Sequence, residues 1–199
     1  GVDTVFGIPG DMIIKFFKMI EDDPAVRLCT LSHEMGVGFA AIGAARGTAK
    51  PAVAVVTYGP GAFGMLNTVA CAYAEKTPLI VVSGGPPLTA RSTDFFFHHT
   101  VKSCSSQLNA YTEVTKQAVL LDDPETAAAK IDKALAACQQ YMLPVYIELP
   151  ADMVTQKITL PPEKQGRPFP ADNQASREAA NEILLRISQA EKPVIMAGV

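Results

Sequence analysis

Four side chains with acid–base chemistry are spread along the first hundred residues. They are Asp11 in Gly7-Ile8-Pro9-Gly10-Asp11, Glu34 in Ser32-His33-Glu34-Met35-Gly36, and the adjacent pair His98-His99. Each follows a stretch that reads as a β-strand or its connecting loop. In a parallel α/β sheet the C-terminal strand ends share one edge, and ligands bind there. Two carboxylates and two imidazoles can therefore meet at one rim, where they can take up, hold and return protons. Each also has a plainer reading. Asp11, after Pro-Gly, sits where a helix N-cap would. Glu34 opens a helix, where a carboxylate offsets the dipole. His98 and His99 could be simple loop residues, yet they make up two of the three histidines and follow Phe95-Phe96-Phe97, an apolar wall more typical of a pocket.

A fifth feature lies between a strand and a helix. Gly59-Pro60-Gly61-Ala62-Phe63-Gly64 matches G-x-G-x-x-G. The dinucleotide fingerprint also needs an acidic residue ending the next strand. Here that strand ends Val82-Ser83-Gly84-Gly85, and Pro60 removes a backbone donor. The segment reads better as a tight turn whose backbone a ligand can approach closely. Other motifs are excluded. Val37 stands where the second histidine of H-E-x-x-H would be, and no G-x-S-x-G is present. Glu34 leads into an apolar helix of small residues, a setting in which a carboxylate can share a proton with a ligand nitrogen.

The elements that position these groups alternate. Strands are expected at 4–8, 26–31, 53–57, 79–83, near 117–121 and at 145–149; helices at 11–20, 35–46, 62–74 and 124–140. Gly84-Gly85-Pro86-Pro87 is expected to open a long loop. The strands at 53–57 and 79–83 are continuous apolar runs, as strands covered on both faces should be. The expected fold class is α/β, a mostly parallel sheet with helices on both faces. Three glycines in the helix at 35–46 each cost about 1 kcal/mol against alanine, which predicts close packing against a neighbouring helix or another subunit.

Composition changes near residue 154. Residues 1–154 form one domain, 155–175 a proline-rich linker with Pro161, Pro162, Pro168 and Pro170, and 176–199 the start of a second, truncated α/β domain. Ser176 is expected to cap its helix, and 193–198 to form its first strand. One helix and one strand cannot bury a core, so the 199 residues read as part of something longer.

The totals bound the function. A hydrophobic fraction of 48% with 19% charged residues is a globular composition. A net charge of −3 without a basic cluster argues against nucleic acid. No apolar run approaches the ~20 residues that span a membrane, and residues 1–20 lack a signal peptide's basic start and apolar centre. The four cysteines are far apart, without metal spacing; Cys29, Cys71 and Cys138 sit among apolar neighbours, as buried thiols do. The expectation is a cytoplasmic protein.

Over residues 1 to about 154 the motifs resemble those of the thiamine diphosphate-dependent 2-keto acid decarboxylases, specifically the pyrimidine-binding domain of that family. The matching segments are Phe6–Asp11, Ser32-His33-Glu34, Thr57–Ala62, Ala72–Pro78, His98-His99-Thr100 and Pro144–Pro150. By this resemblance, Asp11 with His98-His99 separates the pyruvate, indolepyruvate and phenylpyruvate decarboxylases from acetolactate synthases and from benzoylformate decarboxylase, and the whole set is most similar to the indolepyruvate/phenylpyruvate type. The resemblance implies that Glu34 hydrogen-bonds the pyrimidine ring nitrogen of the cofactor and drives its activation. It implies that Asp11, His98 and His99 handle protons in later steps, and that Glu34, Thr57, Tyr58, Gly59, Gly61 and His98 bind the cofactor. It further implies a 2-keto acid substrate with a large, aromatic side chain, an aldehyde product, and a homo-oligomer, dimer or tetramer, whose site is shared between subunits. Magnesium is implied too, but with ligands in a domain outside this sequence; no metal ligand is assigned within it. The chain alone is expected to be inactive. An acetolactate synthase-like carboligase and a non-catalytic assembly module are the alternatives.

Overall fold

A computed structural model describes residues 2–91, 97–160 and 172–196. The chain divides into two units, Gly1–Leu160 and Pro161–Val199. In the first, six strands form one sheet: β1 (Thr4–Gly7), β2 (Arg27–Thr30), β3 (Ala52–Val56), β4 (Leu79–Gly85), β5 (Gln117–Leu120) and β6 (Val145–Pro150). Their order is β2-β1-β3-β4-β6-β5, and every pairing is parallel. The helices are α1 (Ile14–Asp22), α2 (Glu34–Thr48), α3 (Pro60–Gly64), α4 (Leu66–Ala74), α5 (Leu88–Arg91), α6 (Ser106–Thr112) and α7 (Pro124–Tyr141). The expected α/β class and parallel sheet are therefore observed. Chain order reverses between β1, which leads to β2 on one side, and β3, which leads to β4 on the other. Loops leaving that switch point diverge, and the crevice between them is where ligands of open α/β sheets bind.

The central strands carry apolar residues on both faces because helices cover both. Ala54, Val56, Val81 and Tyr146 face one core with Val37 and Ala41 of α2 and Val69 of α4; Val55, Ile80, Val82, Val145 and Ile147 face the other with Phe17 of α1 and Ala134 and Cys138 of α7. Burial pushes the Cys138 thiol up to about 12. Cys29, Cys71 and Cys104 are only half-buried, so the expectation of buried thiols holds for Cys138 and not for Cys29 or Cys71.

Several element boundaries differ from expectation, each for a local reason. Helix α1 starts at Ile14 with Ile13 at its N-cap, so Asp11 caps no helix; it lies in the preceding turn, where its carboxylate accepts from the Met12 amide at 2.9 Å. Gly84 and Gly85 belong to β4 rather than to a loop. A side chain on Gly84 would strike the Met12 backbone at 2.6 Å, and the Ala151 amide donates to the Gly85 carbonyl at 3.0 Å, so these glycines permit close approach within the sheet. The helix expected over 62–74 is two, α3 and α4, meeting at Met65. Helices α5 and α6 were not foreseen.

The small-residue helix packs as predicted at one glycine. A methyl on Gly38 would lie 2.0 Å from Thr68 Oγ1 of α4, whereas one on Gly43 meets nothing within 4 Å. Gly38→Ala should therefore destabilise the protein by about 1–3 kcal/mol through overpacking, while Gly43→Ala should stabilise it by up to about 1 kcal/mol. Urea unfolding of the two variants against the parent measures both signs.

In the second unit, α8 (Asn173–Gln189) is capped by Asp172, whose side chain accepts from the Gln174 and Ala175 amides; Ser176 lies inside the helix and is not its cap. Asp172 takes the role because the helix starts three residues before Ser176, inside the expected linker. Residues 193–196 form no strand, and 197–198 of that expected strand lie outside the described residues, as do Pro161, Pro162, Pro168 and Pro170. Among the described residues, no helix is long and apolar enough to cross a membrane.

Candidate active site

The site forms where three neighbouring strands end. Thr57-Tyr58-Gly59 follows β3, the Gly10-Asp11 turn follows β1, and Glu34 follows β2 as the first residue of α2. His33 is the N-cap of α2; its Nδ1 accepts from the Met35 amide at 3.1 Å, which fixes the direction in which α2 and Glu34 leave the sheet. His98 and His99 come from the segment between α5 and α6. Phe97 lies 4.9 Å from His98, ring centre to ring centre, while Phe95 and Phe96 of the expected apolar wall lie outside the described residues.

The turn from Thr57 to Gly61 is the hub. Gly59 has φ of 68° and is pressed against the His99 backbone: a Cβ there would come within 2.3 Å of the His99 carbonyl oxygen. Only glycine meets both demands. On the other side, a methyl on Gly61 would lie 3.3 Å from Glu34 Oε1 and 2.8 Å from Thr57 Cγ2. Thr57 Oγ1 is 3.5 Å from Asp11 Oδ1, and Gly10 has no room for a side chain against Thr57. One short turn thus touches Glu34 at Gly61, Asp11 at Thr57 and His99 at Gly59. The four ionisable residues are brought around it.

Asp11 and His98 form a direct pair, Oδ2 to Nε2, at 2.5 Å. That bond, from a residue 87 positions away, holds the Asp11 carboxyl below the usual carboxylate range, helped by the Met12 amide and by the charges of His98 and His99. Asp11 is therefore ionised at neutral pH. The ring of His99 stands edge-on to that of His98, centroids 4.7 Å apart. Ligand atoms of Asp11, His98 and His99 all lie within 4.8 Å of one another, close enough to hold a metal. Two imidazoles with one carboxylate suit a transition metal better than magnesium, which takes oxygen ligands. Both Asp11 and His98 are half-exposed, so this group is accessible to solvent and to small molecules.

Glu34 is only partly exposed, and among the described residues no side chain or amide donates to its carboxylate. It borders a cradle of glycine backbone that a single methyl would fill. A carboxylate that no described donor occupies, beside glycine backbone, fits a heterocycle whose ring nitrogen shares a proton with it. Tyr58, in contrast, is 1% exposed. Its phenol is turned inward, so Tyr58 can offer a ligand only its backbone.

Beneath the turn lies a group that sequence reasoning missed. Glu148 of β6 is fully buried and pairs with Arg91 at the end of α5. Burial raises the Glu148 carboxyl above its ordinary value, and Arg91 with the Tyr146 and Gln107 hydrogen bonds opposes that rise. The available signal was a carboxylate inside an apolar strand, which must find a partner in the interior.

Comparison with known proteins identifies the family. Residues 1–120 match the family model described as thiamine pyrophosphate enzyme, N-terminal TPP binding domain. The chain is 41% identical over 199 residues to indole-3-pyruvate decarboxylase of Azospirillum brasilense, covering 100% of this chain and 36% of that protein. It is 33% identical over 207 residues to pyruvate decarboxylase of Aspergillus parasiticus, covering 98% and 34%. It is 32% identical over 207 residues to the mitochondrial acetolactate synthase catalytic subunit of Saccharomyces cerevisiae, covering 99% and 29%. The chain spans about a third of the length of these relatives. On the match over residues 1–120 and these relatives, this chain belongs to the thiamine pyrophosphate enzymes and carries their N-terminal TPP-binding domain.

Proposed function

We propose that this chain supplies the pyrimidine-binding half of an enzyme that decarboxylates a 2-keto acid to an aldehyde. What supports the reading is the Thr57–Gly61 turn, with the open Glu34 carboxylate on one side and the Asp11–His98–His99 group on the other. When bound, thiamine diphosphate supplies a carbon nucleophile that then acts as an electron sink. Glu34 shares a proton with the pyrimidine ring nitrogen. The backbone of Thr57, Tyr58, Gly59 and Gly61 forms the floor under the ring. Asp11, ionised, orients His98 through its short hydrogen bond. His98 and His99 hold and deliver protons after carbon dioxide leaves.

Residues 1–154 act as the pyrimidine domain, 155–175 as a linker and 176–199 as the beginning of a central domain. Magnesium and the diphosphate take their ligands from segments beyond this third of the relatives' length. The working enzyme is a homo-oligomer, dimer or tetramer, with the site shared between subunits, and this chain alone is inactive. Four free cysteines suit a reducing cytoplasm.

A carboligase reading has one observation in its favour, the acetolactate synthase relative at 32% identity. The Asp11–His98 pair favours decarboxylation, since it sets a carboxylate and an imidazole in direct contact beside the turn, groups able to handle the proton that the step after carbon dioxide loss requires. The substrate carries a large, aromatic side chain, as the name of the 41% identical relative suggests. The test is kcat/KM of the enzyme at its relatives' length on pyruvate, phenylpyruvate and indolepyruvate. The aromatic acids should lead by about tenfold or more, since pocket fit is worth about 1–3 kcal/mol per methylene. A preference for pyruvate would overturn the aromatic assignment alone.

A further inference from the structure

The segment between His99 and β5 has no assigned part in the site, yet it grips the hub from below. Helix α6 buries two polar side chains one turn apart, Gln107 at 1% exposed and Tyr111 at 0%. Gln107 Oε1 accepts from the Gly59 amide at 2.7 Å. The Tyr111 hydroxyl donates to the Ala62 carbonyl at 2.7 Å. Between those two anchors lie Pro60 and Gly61, the latter facing Glu34. The position of α6 therefore sets the spacing between the turn and the Glu34 carboxylate.

Gln107 is itself held with a defined polarity. A backbone amide can only donate, so the Gln107 oxygen must face Gly59 and its NH2 must face away. That NH2 reaches the Tyr146 hydroxyl at 2.6 Å, Ser83 Oγ at 2.8 Å and Glu148 Oε2 at 3.4 Å. Tyr146 in turn donates to Glu148 Oε2 at 3.0 Å, and Glu148 binds Arg91. Arg91 also donates to the Cys104 carbonyl, two residues before α6 begins. Ser83 and Glu148 are register partners of β4 and β6, at the C-terminal edge of the sheet. The Tyr146 ring stacks on Tyr111 at 3.8 Å. Gln107, Ser83, Tyr146 and Glu148 are all paired within this cluster, while Arg91 Nε has no hydrogen-bond partner among the described residues; the paired members of a buried polar network rigidify what they contact. A buried ion pair, by contrast, rarely adds stability over apolar packing of the same shape. This one sits under the site and ends on the site's own turn.

We propose that Gln107 is a positioning residue for the cofactor turn, held in one orientation by the Ser83–Tyr146–Glu148–Arg91 cluster so that the Gly59 end of the turn stays in place for the pyrimidine ring. The proposal rests on the reading of the site as a thiamine diphosphate site.

The test uses apoenzyme at its relatives' length and calorimetric Kd for thiamine diphosphate with magnesium, alongside kcat at saturating cofactor. Gln107→Leu leaves the Gly59 amide buried and unpaired, and should raise Kd about tenfold with a smaller fall in kcat. Gln107→Glu keeps the acceptor for Gly59 but sets a second carboxylate against Glu148. The other titratable and charged groups around it are Tyr146 of β6, Arg91 of α5, Tyr111 of α6, Cys104 before α6, Tyr58 after β3 and His99, whose backbone packs on Gly59. Its defect relative to the parent should be large at pH 8 and shrink toward pH 6, where the two carboxylates share a proton. The Gln107→Leu defect should not change with pH. Should Gln107→Leu not fold, Tyr146→Phe, which keeps the ring stack, carries the test with a Kd increase of about threefold. An unchanged Kd, or a Gln107→Glu defect equal at both pH values, overturns the proposal. A parent enzyme that binds no thiamine diphosphate overturns the reading of the site itself, and the two failures are told apart by the parent's own titration.

Discussion

In the proposed decarboxylase, at its relatives' length, Glu34→Gln should cut turnover by about 10²–10⁴-fold at saturating substrate, the range that a positioned acid–base group contributes. An amide occupies the same volume and can still accept a hydrogen bond at its oxygen, so the fold should survive. What it cannot do is share a proton with a ring nitrogen. The neighbourhood makes the substitution clean: Glu34 lies next to Gly61 of the turn and Gly64 of α3, where an added methyl would meet it at 3.3 and 3.5 Å, and no described donor depends on its charge. Steady-state turnover with circular dichroism as a control measures it. A variant within threefold of the parent would remove Glu34 from the chemistry.

The second large effect concerns the later steps. His99→Ala and Asp11→Asn should each slow turnover by about 10²-fold or more, with the loss falling after carbon dioxide departs. Asp11→Asn is informative because it removes the charge that pairs with His98 at 2.5 Å while keeping the shape of the turn. The pairing also gives a sign for pH. The Asp11 carboxyl is held below its ordinary value, so the ionised form and its pairing are present at neutral pH and are lost as the pH falls through that lowered value. Because Asp11 is half-exposed, the stability carried by the pair is small; the effect should appear in the rate. Rapid-quench measurement of carbon dioxide against aldehyde checks it: carbon dioxide should form in a first turnover while aldehyde lags. Equal slowing of both would place these residues at an earlier step.

The parts of this fold legible in the sequence are those where one physical requirement dominates. Continuous apolar runs marked β3 and β4 because both faces of those strands are covered. Strand ends then placed Asp11, Glu34 and the Gly59 turn at one edge. Helix α6 was illegible for the opposite reason. Its buried positions are Gln107 and Tyr111, so no apolar period marks it, and the burial is repaid by hydrogen bonds to Gly59 and Ala62 that only the folded chain can make. Asp11 misled as an N-cap because Pro-Gly-Asp before an apolar period is the usual cap pattern. Met12 and Ile13 are instead buried ahead of the helix, and Asp11 turns to His98. A bond across 87 residues has no local signature.

The central claim, that Glu34 beside the Gly59–Gly61 turn activates the cofactor while Asp11, His98 and His99 act afterwards, is tested most directly by proton–deuterium exchange at the thiazolium carbon of bound thiamine diphosphate. Exchange should be slowed by orders of magnitude in Glu34→Gln and remain close to the parent's rate in His99→Ala and Asp11→Asn. Normal exchange in Glu34→Gln would contradict the account.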